Sequence, residues 1–258
     1  MKRVEEIVKI VSPKKVEGPV TSVVSHITAD SRTVQEGSLF ICLVGVTVDG
    51  HSFVDKAIED GAVAIIASKP VIVPDHVTVL YVDDTRQALQ EAVPFFYDYP
   101  ASKMRMIGVT GTNGKTTTTH IIGHMLRSQG YTVGIIGTVH ILIDDQSYPI
   151  HNTTPDVADL QQILQQMVDA GVTHCIMEVS SHALALGRTA GVEYDTAVFT
   201  NLTQDHLDFH KTFDNYLAAK SKLFKQVSAS YQLKEGKGAV INIDDDYGQA
   251  IVDVTTAP

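Results

Sequence analysis

Apolar residues arrive in short blocks along this chain, and the blocks alternate between two rhythms. SLFICLVG (38–45), AVAIIAS (62–68) and VTVLYV (77–82) are near-continuous apolar runs with the length and β-branched content of buried strands. Between them, SFVDKAIEDG (52–61) reads as a short amphipathic helix stopped by glycine. TRQALQEAVPFFYDY (85–99) is helical in pattern, with Pro94 expected to kink it or to mark its first turns. Pro100 disfavours helix at Tyr99, which places a domain boundary near residue 101.

The rhythm repeats beyond that boundary. MRMIGV (104–109), TVGIIG (132–137), HCIMEV (174–179), DTAVFT (195–200) and AVINI (239–243) read as strands. KTTTTHIIGHMLRSQ (115–129) reads as a helix with Ile121, Ile122, Met125 and Leu126 on one face, ended by Gly130. Pro155 and Asp156 open a second helix through DLQQILQQMVDA, closed by Gly171, and TFDNYLAAKSKLFKQ (212–226) is a third. Strands alternating with helices in both parts predict an α/β fold: a small N-terminal α/β domain over 1–101 and a second domain over 102–258, with mainly parallel sheets.

Composition narrows the partners. The 258 residues are 44% apolar and 19% charged, an ordinary globular balance, and the net charge is -10. An acidic chain gains little from a phosphate backbone, so nucleic acid is not an expected partner. The two cysteines, Cys42 and Cys175, lie in apolar strand-like runs and are expected to be reduced and buried, which suits a cytoplasmic protein. MKRVEEIVKIV mixes charges into its apolar residues and has no signal-peptide core. No run reaches the ~20 apolar residues of a membrane span, so no membrane insertion is expected.

The most specific chemistry is in GVTGTNGKTTTTH (108–120). A strand enters a turn carrying Gly108, Gly111 and Gly114, then Lys115 and Thr116 open a helix. This is the context of a phosphate-binding loop: backbone N–H groups face the phosphates, the lysine adds a point charge and the threonine hydroxyl reaches Mg²⁺. The spacing departs from G-x-x-x-x-G-K-[ST], whose first glycine would fall at Val109. Glu178, at the end of another strand, is either a Mg²⁺ ligand beside that loop, if the strands are neighbours, or a solvated strand-end acid.

FTNLTQDHLDFH (199–210) carries Asp205, His206, Asp208 and His210. The two histidines, four apart, could mimic a helical zinc pair, but no third soft ligand is evident, and a surface turn is the alternative. On the following helix Phe213, Tyr216, Leu217, Lys220 and Phe224 share one stripe, while Lys222 and Lys225 point elsewhere. Lys220 therefore either snorkels outward or is a lysine of lowered pKa whose neutral amine does chemistry.

GTNGKTTTTH, NTTPD, MEVSSHAL, FTNLTQDHLDFH and YLAAKSKLF, in this order, resemble the Mur ligases, most closely those adding the third peptide residue in peptidoglycan synthesis. ADSRTVQEGSLFICLVG and DGHSFVDKAIEDGAVAII resemble the family's first domain, so the likeness covers nearly all of 24–245. The resemblance implies a uridine-binding N-terminal domain and a P-loop-type ATPase domain, incomplete at its C-terminus. It implies ATP and Mg²⁺ as cofactors, and an acyl phosphate formed on UDP-MurNAc-L-Ala-D-Glu and attacked by the amine of L-lysine or meso-diaminopimelate. Gly111, Thr112, Asn113, Gly114, Lys115, Thr116 and Thr117 would then hold the nucleotide, with Lys115 on the β/γ-phosphates. Thr116, Glu178, His206 and Lys220, the last as a carbamate formed with CO₂, would hold metal. Ser31, Thr153, Thr154, Ser181 and Arg188 would hold the UDP-muramoyl peptide.

Family members are longer, with a third domain for the incoming amino acid. The chain is therefore expected to be a fragment, monomeric, that binds the UDP-linked substrate and ligates poorly or not at all alone. Two alternatives stay open: a folylpolyglutamate-synthase-like ligase, which would lack the separate first domain, and a non-catalytic nucleotide-binding module.

Overall fold

The computed structural model describes residues 1–45, 48–150, 152–228 and 236–258. The chain forms two compact units, Met1–Asp98 and Tyr99–Pro258. The division falls where Asp98 and Tyr99 both take positive φ, 56° and 50°, directly before Pro100. This sharp reversal breaks the chain slightly ahead of the position expected from the proline alone.

In the N-terminal unit β1 (Lys2–Arg3) pairs antiparallel with β3 (Val23–Val24). The main sheet holds β2 (Lys15–Glu17), β4 (His26–Thr28), β5 (Ser38–Ile41), β6 (Ala62–Ala67) and β7 (Thr78–Tyr81), in the order β2-β7-β6-β5-β4. All its pairings are parallel except β2 with β7. Leu39, Phe40, Ile65, Ile66 and Leu80 have no exposed surface, each such side chain contributing ~1.5–3 kcal/mol.

Among the described residues the α-helices of this unit are α1 (Val4–Val11), α2 (Val54–Glu59) and α3 (Thr85–Phe96). The charged N-terminal stretch is thus a helix, burying Val4, Ile7 and Val11 at helical spacing, with Glu6 closing the first turn by accepting from Arg3 N at 2.7 Å. Pro94 lies in the last turn of α3, not the first turns; only two helical residues follow it, so little of the helix is disturbed.

The second unit is built on a seven-stranded sheet of order β11-β10-β9-β12-β8-β13-β14. Its elements run β8 (Arg105–Thr110), α4 (Lys115–Ser128), β9 (Val133–Ile136), β10 (Ile141–Ile143), β11 (Gln146–Tyr148), α5 (Val157–Asp169), β12 (His174–Glu178), α6 (Ser181–Leu186), β13 (Thr196–Phe199), α7 (Leu207–His210), α8 (Phe213–Ser228), β14 (Gly238–Ile241) and α9 (Gly248–Asp253). Five strands are mutually parallel, and β10 and β11 add an antiparallel hairpin that the sequence pattern does not announce. Central β8 lies between β12 and β13, so three strand ends converge where the glycine loop leaves the sheet.

One helix face differs from expectation. On α4, Ile121 and Met125 are 55% and 62% exposed, while Thr119 and Gly123 are buried and Ile122 and Leu126 pack on the core. A Cβ on Gly123 would come 2.8 Å from Ile135, so the helix approaches β9 closely at a glycine, with Ile122 and Leu126 packing beside it and Ile121 and Met125 turned outward.

Candidate functional site

β8 ends at buried Thr110, and the backbone then turns through Gly111 (φ 149°) and Gly114 (φ 85°) into α4. A side chain at Gly111 would be 1.9 Å from Thr200 Oγ1, so only glycine fits there. The first-turn amides of α4 have no intrahelical acceptor, the arrangement that an anion site at a helix N-terminus requires. Lys115 bends back over the loop and donates to Gly111 O at 2.9 Å and Thr112 O at 2.8 Å. Burial lowers its pKa, and the charges of Glu178 and Asp205 oppose that shift.

Glu178 is not a solvated strand-end acid. It is 1% exposed, and β12 pairs with β8 so that it lies opposite Val109. Thr116 Oγ1 donates to its Oε1 at 2.9 Å, as does Thr138 N at 2.9 Å, and Thr138 Oγ1 donates to Oε2 at 3.1 Å. These partners are all neutral. A buried carboxylate without an ion-pair partner among the described residues, touching the hydroxyl at the start of the phosphate loop's helix, fits a divalent cation.

Lys220 is 1% exposed and does not snorkel. Its Nζ donates to Gly111 O at 2.8 Å, the carbonyl that Lys115 also uses, and lies 4.6 Å from the centroid of the Tyr216 ring. Burial, then the charge of Lys115, lowers its pKa to about 7, with Asp205 opposing. At neutral pH a large share of this amine is unprotonated and nucleophilic.

The histidines are not a helical pair. His206 has positive φ (54°) and precedes α7, its imidazole 3.4 Å from Asp205. His210 is buried, with Nε2 2.9 Å from Ser181 Oγ, and burial followed by its cationic neighbours lowers its pKa. The ring of His182 lies between them, centroids 4.7 Å from His206 and 5.4 Å from His210. Among the described residues no three His, Cys, Asp or Glu side chains converge as a metal cage. Of the metal set expected from the resemblance, Thr116 and Glu178 touch, Lys220 reaches the loop from the other side, and His206 stands 6.1 Å from Tyr216, ring to ring.

The expected substrate contacts divide. Thr153 Oγ1 is 3.1 Å from Thr138 Oγ1, at the edge of the Glu178 group. Thr154 is buried, donating to Glu178 O at 2.9 Å and accepting from Ser180 N at 3.1 Å. Ser181 is buried against His210. Arg188 donates to Thr154 O at 3.4 Å and stands 3.7 Å from Asp156, with its Nε buried and making no hydrogen bond among the described residues. Ser31 belongs to the N-terminal unit, opening a 3₁₀ turn capped by the Asp30 carboxylate. Asn113 is exposed on the loop and Thr117 is exposed in the first turn of α4.

Thr138, Thr200, Asn201 and Asp245 were not singled out from the sequence, although they hold the site together. Thr138, Thr200 and Asn201 each follow a parallel strand within two residues, a position that could have marked them.

Comparison with known proteins places these features. The family model described as Mur ligase middle domain matches residues 109–257, and that described as Mur ligase family, catalytic domain, matches 23–97. The UDP-N-acetylmuramoyl-L-alanyl-D-glutamate--2,6-diaminopimelate ligase of Geobacillus thermodenitrificans (strain NG80-2) is 52% identical over 229 residues, 89% of this chain and 46% of the relative. The protein of the same name from Bacillus cereus is 48% identical over 234 residues, 91% of this chain and 47% of the relative. A solved structure of a UDP-N-acetylmuramoyl-L-alanyl-D-glutamate--2,6-diaminopimelate ligase superposes with a TM-score of 0.80 at 29% identity, covering 98% of this chain and 49% of that one. MurF from Acinetobacter baumannii shares the fold, with a TM-score of 0.69 at 20% identity over 98% of this chain and 51% of that one. The chain spans about half the length of the curated relatives it matches.

Proposed function

The chain belongs to the Mur ligase family, and from that premise we propose that it serves ATP-dependent amide ligation in peptidoglycan precursor synthesis. The substrate is UDP-MurNAc-L-Ala-D-Glu and the incoming amino acid is 2,6-diaminopimelate, the acceptor in the names of the relatives at 48–52% identity. One observation carries the reading: buried Glu178 and buried Lys220 reach the phosphate loop from two sides, at Thr116 and at Gly111.

In this reading the first-turn amides of α4 and Lys115 hold the ATP phosphates. Lys115 leaves the carbonyls of Gly111 and Thr112 when a better acceptor arrives. Thr116 and Glu178 would hold Mg²⁺, and His206 and Lys220, the latter as a carbamate, would complete the set. Mg²⁺ supplies charge neutralisation for the transferred phosphoryl group. The lowered pKa of Lys220 supports the carbamate, because only the neutral amine combines with CO₂. Arg188 and Thr153 contact the muramoyl peptide, and Ser31 its uridine end. Thr154 and Ser181 shape that site from beneath, since their hydroxyls are engaged within the protein. The protein works in the cytoplasm as a monomer.

Calorimetric titration with UDP-MurNAc-L-Ala-D-Glu tests the proposal. Saturable binding, weakened about tenfold or more by Arg188→Ala, is expected. A folded chain that binds neither this substrate nor Mg²⁺-ATP would sink it.

A further inference from the structure

The phosphate loop does not stand free. Thr112 and Asn113 are hydrogen-bonded to residues 200–203 from the end of β13. Thr112 N donates to Asn201 O at 2.9 Å, and Thr112 Oγ1 accepts from Thr203 N at 2.9 Å. At the tip of the loop the Asn201 carboxamide grips both backbone groups of one residue: Oδ1 accepts from Asn113 N at 2.9 Å and Nδ2 donates to Asn113 O at 3.1 Å. Thr200 Oγ1 donates to the same Asn113 carbonyl at 2.7 Å.

A second layer braces this clamp. Asn242 Nδ2, just past β14, donates to Thr200 O at 2.8 Å. The Asp245 carboxylate accepts from Leu202 N at 3.0 Å and from Tyr247 N at 3.0 Å.

This geometry limits how the loop can hold an anion. The Asn113 N–H, which a loop of this kind ordinarily offers to phosphate, points into the Asn201 side chain. The donors left for a phosphate begin at Gly114. Their positions depend on the Gly111–Gly114 backbone, whose two positive-φ glycines would otherwise leave it free to sample other conformations. We propose that Asn201 is a positioning residue for nucleotide: its carboxamide substitutes for a β-ladder, holding the loop in its phosphate-ready shape before ligand arrives, so that binding carries no ordering cost. The inference rests on the nucleotide reading above. It adds a residue that touches neither substrate nor metal but sets their affinity.

The test uses two variants and two measurements. Asn201→Ala removes both carboxamide bonds. Asn201→Asp keeps an acceptor for Asn113 N–H but loses the donor and adds a negative charge, so it is read by exchange at Asn113 and not by ADP affinity. Amide hydrogen exchange read by NMR on the whole 258-residue chain should speed up about tenfold or more at Asn113 in Asn201→Ala, stay slow there in Asn201→Asp, and be unchanged within α4 in both. Calorimetry should show ADP affinity reduced about tenfold by Asn201→Ala, at a little-changed thermal midpoint. Unchanged exchange at Asn113, or faster exchange with unchanged ADP affinity, overturns the proposal. If the unaltered chain binds no ADP, the nucleotide reading fails and the positioning role falls with it, whatever the exchange data show about the clamp. Faster exchange throughout α4 in Asn201→Ala would mean a general loss of structure and would also count against the specific role.

Discussion

The two units share a grammar of strands and helices around a mainly parallel sheet, but they bury different polar groups. Among the described residues, the N-terminal unit buries only hydroxyls: Thr28, Ser38, Thr78 and Thr85. The second unit buries Glu178, Asp195, His210 and Lys220 as well. A buried hydroxyl needs one or two partners, and a single backbone carbonyl can supply one; Thr78, for example, donates to Pro19 O. A buried ionisable group costs much more, and Asp195 recovers the cost through Arg105 at 2.6 Å and Met106 N at 2.7 Å. Glu178 and Lys220 have no such ion-pair partners among the described residues. Polar burial in the first unit is architecture. In the second, part of it leaves ionisable groups buried against neutral partners, at a cost in stability.

Lys220→Met gives the sharpest test of that contrast. Removing a buried amine without an ionic partner should leave stability at pH 7 unchanged or raise it, by up to about 1–4 kcal/mol, measured by denaturant unfolding. The sign with pH follows from the lowered pKa. Between about 7 in the folded chain and the ordinary lysine value of 10.5 in the unfolded chain, the unfolded state binds the extra proton, so stability rises with pH across that window. The Met variant should lose that rise. A marked destabilisation by Lys220→Met would break the comparison, because Lys220 would then be structural.

Glu178→Gln should act more modestly. The amide oxygen can still accept from Thr116 and Thr138, so stability should hold within about 1 kcal/mol. Mg²⁺-dependent ATP affinity should fall about tenfold or more by calorimetry. Equal affinity with and without Mg²⁺ in the unaltered chain would remove the cation from the argument.

Thr78→Val is the control in the other unit. It removes the donor to Pro19 O and should lower stability by about 1 kcal/mol, with no change in ligand affinity.

Much of this molecule was legible in the sequence. Strand and helix types follow from the period of apolar residues, a local property. The glycine loop was legible because its chemistry is contiguous: Gly111, Gly114, Lys115 and Thr116 are neighbours in the chain and need only a strand before them and a helix after. The inward stripe of α8 placed Lys220 by the same periodicity. The histidine pair failed because one residue of positive φ, His206, ends the period before α7 begins. The α4 face failed because Gly123 allows β9 to approach so closely that the contact surface rotates away from Ile121 and Met125.

The sequence by itself determined the kinds of most elements, the glycine loop between a strand and a helix, and the family likeness, since each rests on residues close together in the chain. Only the tertiary structure decided that β12 and β13 flank β8. That order puts Glu178 beside Thr116, brings Lys220 to Gly111 and closes Asn201 on Asn113. Those contacts join residues 62 to 109 positions apart, and strand order between such distant segments is set by packing of the whole sheet.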